Sequence, residues 1–222
     1  MDFKPEYAET PDPRCPVVLL LDTSGSMYGQ PINQLNQGLV TFQQELSKDS
    51  FAARRVQVAI VTFDSYVKVV QDFVDFNQFN PPHLTATGST AMGEGIETAI
   101  NLIESHKQLL KANAIDYYRP WLLMITDGGP NPDSNWQNAA QILHQFHANK
   151  KVVFFAIAVQ GADMNTLSQI VPPGSIPPQQ LQGLAFNQLF TWLSSSMGSV
   201  SRSQGSGAQV ALPDASGWVV GT

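Results

Sequence analysis

Residues 17–26, VVLLLDTSGS, join an unbroken apolar run to a carboxylate, three hydroxyl groups and a glycine. The five apolar residues predict a strand that is buried on both faces, as in a parallel sheet. Open α/β sheets bind their ligands at the carboxyl ends of the strands, where Asp22 lies. Gly25 permits a sharp turn that directs Ser24 and Ser26 towards one point. These hard oxygen atoms predict a site for a magnesium-like cation.

Apolar strands alternate with amphipathic helices along the rest of the chain. Strands are predicted at 56–63, 67–73, 121–126 and 152–159, and helices from Pro31 onward and over 91–113, 136–149, 164–170 and 185–197. Only three residues, 64–66, separate the second and third strands, so the third is predicted to be antiparallel and at the sheet edge. The pattern predicts an α/β fold: a Rossmann-like, doubly wound, mostly parallel central sheet with helices on both faces.

The chain has 222 residues and a formal net charge of −6. This length and composition predict one domain. That charge argues against a nucleic-acid partner, because no basic stripe is available to neutralise phosphates. No apolar run approaches the roughly 20 residues of a membrane span, and no secretory signal is visible. Cys15 is the single cysteine, which excludes an internal disulfide and fits a cytoplasmic location. We expect a lead-in at 1–16, a domain at 17–197 and a Ser/Gly-rich linker and tail at 198–222.

Two further loops carry residues that could complete a cation site. Thr90 lies directly before a helix, and Asp127 ends the strand at 121–126. The carboxyl ends of the strands meet at one edge of a doubly wound sheet, so these loops are predicted to meet the first one. One cation could then be faced by Asp22, Ser24, Ser26, Thr90 and Asp127. No histidine lies in the three loops, so no general base is evident, and the chemistry favours binding over hydrolysis.

The pattern Asp-x-Ser-x-Ser at 22–26, Thr90 before a helix and Thr126-Asp127-Gly128 after a strand resembles the metal-ion-dependent adhesion site (MIDAS) of von Willebrand factor type A (VWA) domains. The resemblance covers roughly residues 15–197. It implies a non-catalytic interaction module that binds Mg²⁺, or else Mn²⁺ or Ca²⁺, and an Asp or Glu of a partner protein. Ser24, Ser26 and Thr90 would be direct ligands, and the two carboxylates would bind directly or through water.

A narrower resemblance joins the chain to the TerY-like group of bacterial VWA domains. It rests on residues of the first helix and later loops, and on the ending, namely Pro31, Ile32, Asn36, Gly38, Leu39, Phe79, Pro81, Pro82, Leu84, Arg119, Pro120, Trp121, 210–213 and 216–218. The group occurs in tellurite-resistance and chemical-stress clusters, beside a protein kinase and a PP2C-like phosphatase. The likeness implies a monomeric cytoplasmic adaptor in such a system.

Three alternatives stay open. Asp22 could be the nucleophile or a metal ligand of a magnesium-dependent phosphohydrolase, although the Asp-x-Asp pair of haloacid-dehalogenase-like enzymes is missing. The chain could instead be an adaptor of an AAA-type ATPase, or an extracellular adhesin.

Met27 and Tyr28 could rim a partner surface, and residues 216–220 could be a docked peptide or a frayed tail. The last helix, 185–197, is expected to move when the metal site is engaged, as in other VWA domains.

Overall fold

A six-stranded sheet forms the centre of the computed structural model, which describes residues 12–131, 134–203 and 210–220. The strands lie in the order β3-β2-β1-β4-β5-β6. Their bounds are β1 Cys15–Asp22, β2 Val56–Phe63, β3 Val67–Asp75, β4 Trp121–Thr126, β5 Val153–Ala158 and β6 Gln179–Gln180. Among the six strands of the described residues, β2 and β3 form the one antiparallel pair, and β3 is an exposed edge strand. The predicted sheet class and its antiparallel edge strand are therefore confirmed.

Six α-helices occupy the described residues on the two faces of this sheet. Their bounds are α1 Gln30–Ser47, α2 Ser50–Arg55, α3 Met92–Ala112, α4 Trp136–Ala148, α5 Met164–Ile170 and α6 Phe186–Ser201. The alternating side chains of β1 divide between two apolar cores, one beneath α1, α2 and α6 and the other beneath α3, α4 and α5. All eight residues of β1 are buried, as a central strand covered on both faces requires. No described helix has the length and apolarity to cross a bilayer.

Two features of the helical layer differ from the sequence-based expectation. The short helix α2 was not predicted; its N-cap is Asp49, whose side chain accepts hydrogen bonds from the amides of Phe51 and Ala52. The predicted end of the last helix near residue 197 was wrong, because α6 continues to Ser201. Three serines of α6, Ser194, Ser196 and Ser199, each donate a hydroxyl hydrogen bond to the backbone carbonyl four residues earlier. These bonds satisfy the hydroxyl groups inside a helix that the sequence composition disfavours.

The C-terminal segment 210–220 packs against α6 and the sheet edge. Trp218 is 2 % exposed, and its ring lies 5.2 Å from that of Trp192, centroid to centroid. Trp192 Nε1 donates to the carbonyl of Pro213 at 2.9 Å, and Val219 forms an antiparallel bridge with Leu181. Of the two readings of this ending, the docked segment is the one observed. The predictions for residues 1–11 and 204–209 lie outside the described residues, and the division of the chain at residues 16 and 197 stays a prediction.

Candidate metal centre

The loop after β1 folds back on its own aspartate. Asp22 is fully buried, and its Oδ1 accepts a hydrogen bond from the amide of Ser24 at 2.8 Å. Ser24 Oγ lies 3.0 Å from Ser26 Oγ, so the two hydroxyl groups point to the same place. A 3₁₀ turn over Gly25–Met27 follows directly and carries Ser26. The sequence prediction that Gly25 brings the two serines together agrees with this geometry.

The loop after β4 meets the first loop at the same edge of the sheet. Ser26 Oγ donates to Asp127 Oδ1 at 2.7 Å. Thr126, the last residue of β4, donates from its hydroxyl to Asp22 Oδ2 at 2.5 Å. Because β1 and β4 are adjacent and parallel, both carboxylates emerge at neighbouring strand ends. With Ser24, these residues form one continuous hydrogen-bonded group of five: Asp22, Ser24, Ser26, Thr126 and Asp127.

The loop that contains Thr90 is attached to both of the others through its backbone. The amide of Gly25 donates to the carbonyl of Gly88 at 3.0 Å, and a β-carbon at Gly25 would lie 3.2 Å from that oxygen. A side chain at this position would press on the Gly88 carbonyl, so glycine favours the close approach of the two loops. Thr90 is 9 % exposed; its amide donates to Asn131 Oδ1 at 3.0 Å, and its carbonyl accepts from the Asn131 amide at 3.1 Å. All five predicted residues accordingly lie in three loops that contact one another.

Both carboxyl groups of this cluster have raised pKa values. Burial raises the pKa of Asp22 to about 6, although hydrogen bonds from Ser24 and Thr126 oppose the rise. Burial also raises the pKa of Asp127, and the negative charge of Asp127 adds to the shift at Asp22. Two partly desolvated carboxylates that repel each other are costly unless a cation lies between them. With the hydroxyls of Ser24 and Ser26 they form an all-oxygen donor set, which fits a hard divalent ion.

Some residues around the cluster are buried and support it, whereas others are exposed and form a rim around it. Met27 is fully buried, whereas Tyr28 is 78 % exposed, so only the second of these two residues is available to a partner. Tyr66, in the turn between β2 and β3, is 72 % exposed. This turn is joined to the Thr90 loop, because the amide of Ser89 donates to Ser65 Oγ at 3.0 Å. Two exposed tyrosines therefore lie on loops at this edge of the sheet.

The sequence reasoning did not predict the role of one supporting residue and missed another. The hydroxyl of Thr126 accepts from the Gly128 amide at 3.2 Å in addition to its bond to Asp22. Its position at the end of a strand was visible in the sequence, but its role in orienting the carboxylate was not. Asn131 had no sequence signal at all, because its contact partner Thr90 lies 41 residues away.

The chain belongs to the von Willebrand factor type A domain family, whose model matches residues 17–188. VWA domains are generally non-catalytic protein-interaction modules, and they often carry a MIDAS that binds a divalent metal. No curated protein matches the sequence.

Solved VWA structures share the fold at low sequence identity. A VWA protein from Catenulispora acidiphila has a TM-score of 0.59 and 13% identity, with 84% of this chain and 43% of that chain covered. The pilus adhesin SpaC from Lactobacillus rhamnosus GG has a TM-score of 0.65 and 11% identity, with 86% and 31% covered. Proximal thread matrix protein 1 from the mussel byssus, with zinc in its MIDAS motif, has a TM-score of 0.56 and 18% identity, with 86% and 49% covered. The chain thus spans less than half of each of these proteins.

Proposed function

We propose that this VWA domain binds a protein partner through a divalent metal ion, and that it catalyses no reaction. The ion would be Mg²⁺, with Mn²⁺ or Ca²⁺ as substitutes. The observation that carries the proposal is that hydrogen bonds through the amide and hydroxyl of Ser24 and the hydroxyl of Ser26 join two buried carboxylates from adjacent strands. The metal-binding residues would be Asp22, Ser24, Ser26, Thr90 and Asp127.

The hydrogen bonds of the serine hydroxyls support the assignment of these residues as metal ligands. Ser26 Oγ bridges Ser24 Oγ and Asp127 Oδ1, so it occupies the centre of the group. Hydroxyl groups are neutral, so most of the divalent charge would be offset by the two carboxylates, and an ion that they hold partly through water would stay electron-poor. When bound, the ion supplies an electron-poor centre that can accept one more carboxylate. The residues of this chain hold the position, and Thr126 keeps Asp22 oriented towards it.

The partner would contribute an aspartate or a glutamate, and the rim would contact the residues around it. Tyr28 and Tyr66 are 78 % and 72 % exposed, although large aromatic side chains are normally covered in a monomer. Tyrosine is enriched in protein interfaces and in their energetic hot spots. The two side chains are therefore the first candidates for contacts outside the metal shell.

The biological setting is proposed from the resemblance to the TerY-like group. In that setting the chain is a monomeric cytoplasmic adaptor in a bacterial response to tellurite or chemical stress, linked to a protein kinase and a PP2C-like phosphatase. Two of the residues that carry the resemblance have a structural role, because Asn36 Nδ2 donates to the Leu84 carbonyl and Asn36 Oδ1 accepts from the Leu84 amide. This clamp joins α1 to the loop before α3 and gives these two residues a shared structural role.

Calorimetric titration of Mg²⁺ and Mn²⁺ tests the metal site directly. Wild type is expected to bind, Asp22→Ala is expected to lose binding, and Asp72→Ala, which removes an exposed carboxylate from β3, is the matched control. Metal-free protein would also be used to capture partners from lysate with and without Mg²⁺. Equal capture of the same partner by wild type and Asp22→Ala, with or without metal, would refute the mechanism.

Two further readouts separate the alternatives. Magnesium-dependent hydrolysis of a phosphate ester by the pure protein, lost in Asp22→Ala, would replace the adaptor by a phosphohydrolase. Recovery of an AAA-type ATPase, without kinase or phosphatase, would keep the metal-dependent adaptor and change its partner. Recovery of a kinase or phosphatase only in the presence of metal would support the TerY-like setting.

A further inference from the structure

A basic pocket opens at the sheet edge opposite the candidate metal centre. It lies where α3 and α4 end and where the chain enters β4 at Pro120. Its volume is about 810 Å³, and it is open to solvent. Its lining includes five cationic side chains and one carboxylate, namely Lys107, Lys111, Arg119, Lys150, Lys151 and Asp116. Five of the twelve lysines and arginines of an acidic chain therefore lie in one pocket.

The five cations are only partly neutralised by the protein. Lys107, 8 % exposed, donates to Glu104 Oε1, and Lys151 Nζ lies 3.6 Å from Glu104 Oε2. One glutamate thus serves two lysines. Within the described part of the chain, Lys111, Lys150 and Arg119 form no ion pair, although Asp116 lines the same pocket. The lining consequently keeps an excess of positive charge.

Capping of the two helices accounts for only part of this charge. Lys111 lies in the last turn of α3, and Lys150 follows α4. At both places the partial negative charge of the helix end stabilises a cation. Each helix end supplies about half of one negative charge. The two ends, Glu104 and Asp116 together therefore amount to about three negative charges, against five positive ones. The remainder is available to an anion from solution.

Arg119 brings a fixed guanidinium to the lining of the pocket. Its Nη2 donates to the carbonyl of His147 at 2.9 Å, which fixes the guanidinium against the end of α4. Its Nε is buried and has no hydrogen-bond partner among the described residues. Partial burial lowers the pKa of Arg119, and no carboxylate of the described residues forms an ion pair with it. Since Nη2 makes the one side-chain hydrogen bond of Arg119 among the described residues, the other Nη hydrogens remain without a protein partner there and can bond to an anion.

We propose that this pocket binds a ligand with two or more phosphoryl groups, either an inorganic oligophosphate or a nucleoside polyphosphate. Several ammonium groups around one guanidinium form charge-assisted hydrogen bonds to phosphate oxygens. A single phosphate would use a small part of the pocket, whereas an oligophosphate can reach lysines from both helix ends. The site is independent of the metal centre, which occupies the other edge of the sheet.

Isothermal titration of tripolyphosphate and of ATP into the metal-free protein, after removal of the chelator, tests the site. Wild type is expected to bind at least one of them, with an affinity that falls as the salt concentration rises. The double variant Lys111→Gln/Lys150→Gln is expected to bind roughly tenfold or more weakly, because two charge-assisted contacts are lost. Both side chains are exposed or at a helix end, so the variant should fold, as a thermal melt would verify.

A matched double variant controls for net charge. Lys48→Gln/Lys68→Gln removes two exposed lysines outside the pocket and should change the affinity by less than about twofold at 0.15 M salt. Tighter binding of ATP than of tripolyphosphate would identify a nucleotide as the ligand class; equal binding would identify the oligophosphate alone. Absence of binding at millimolar concentrations, or equal weakening in both double variants, would overturn the proposal.

Discussion

Replacing Asp22 by asparagine should stabilise the metal-free protein and abolish its response to magnesium. Burial raises the pKa of this carboxyl from 3.8 to about 6 in the folded state. A group with a raised folded pKa contributes stability below its unfolded pKa, and that contribution is lost as the pH rises through about 6. Each pH unit between the two values corresponds to about 1.4 kcal/mol, so the buried charge costs about 3 kcal/mol at pH 7.

The asparagine side chain can keep the two hydrogen bonds of the aspartate. Its oxygen can accept from the Ser24 amide, and its amide group can donate to the Thr126 hydroxyl, which is free to rotate. We therefore expect Asp22→Asn to raise the free energy of unfolding at pH 7 by about 1–3 kcal/mol. For a chain of this size that is a rise in Tm of roughly 2–10 °C.

Differential scanning calorimetry of the metal-free proteins at pH 7 and pH 4 is the assay. The gain should shrink at pH 4, where wild-type Asp22 is protonated in the folded state. Added Mg²⁺ should then raise the Tm of wild type and leave that of Asp22→Asn unchanged, because ligand binding to the folded state is a source of stability. A variant less stable than wild type at pH 7, or one stabilised equally by Mg²⁺, would refute the reasoning.

Three other substitutions test the packing and its pH dependence. Trp218→Ala should cost about 3–5 kcal/mol by chemical denaturation, whereas Trp218→Phe should cost much less, because the indole Nε1 is buried without a partner among the described residues. Gly38→Ala should lower the free energy of unfolding by about 1–3 kcal/mol, because the new β-carbon would lie 2.5 Å from a ring atom of Phe190. Gly217→Ala is the control, because no atom lies near its β-carbon position. An equal loss of stability in both variants would contradict this account of the packing. Burial lowers the pKa of His106, although the negative charges of Asp72 and Asp75 oppose the shift. The contribution of His106 to stability is therefore present above pH 6.5 and is lost as the pH falls below that value. His106→Gln should flatten this part of the pH–stability curve, and an unchanged slope would contradict the assignment.

Most of the strands were predictable because they are buried on both faces. β2 and β4 have the predicted bounds, and β1 extends the apolar run 17–21 by only a few residues. A continuous apolar run bounded by polar residues leaves little choice of secondary structure. Helix α2 and the last turn of α6 escaped prediction, because they depend on distant contacts. One such contact joins Asp49 to Arg202, 153 residues later, with Nη1–Oδ2 at 2.6 Å.

The sequence by itself determined which residues stand at the carboxyl ends of the strands. Asp22 follows one apolar run and Asp127 ends another, and this local order was enough to predict a polar cluster at one edge of the sheet. The strand order decided that β1 and β4 are neighbours, which brings Ser26 within 2.7 Å of Asp127.

The tertiary structure alone decided the basic pocket and the place of the C-terminal segment. The lysines of the pocket come from the ends of two helices, and only the packing of α3 against α4 places Lys111 and Lys150 in one cavity. Trp218 is covered because α6 and the edge of the sheet provide an apolar surface beside it. Periodicity and propensity act over a few residues, whereas these arrangements depend on contacts between segments far apart in the chain, which no local pattern encodes.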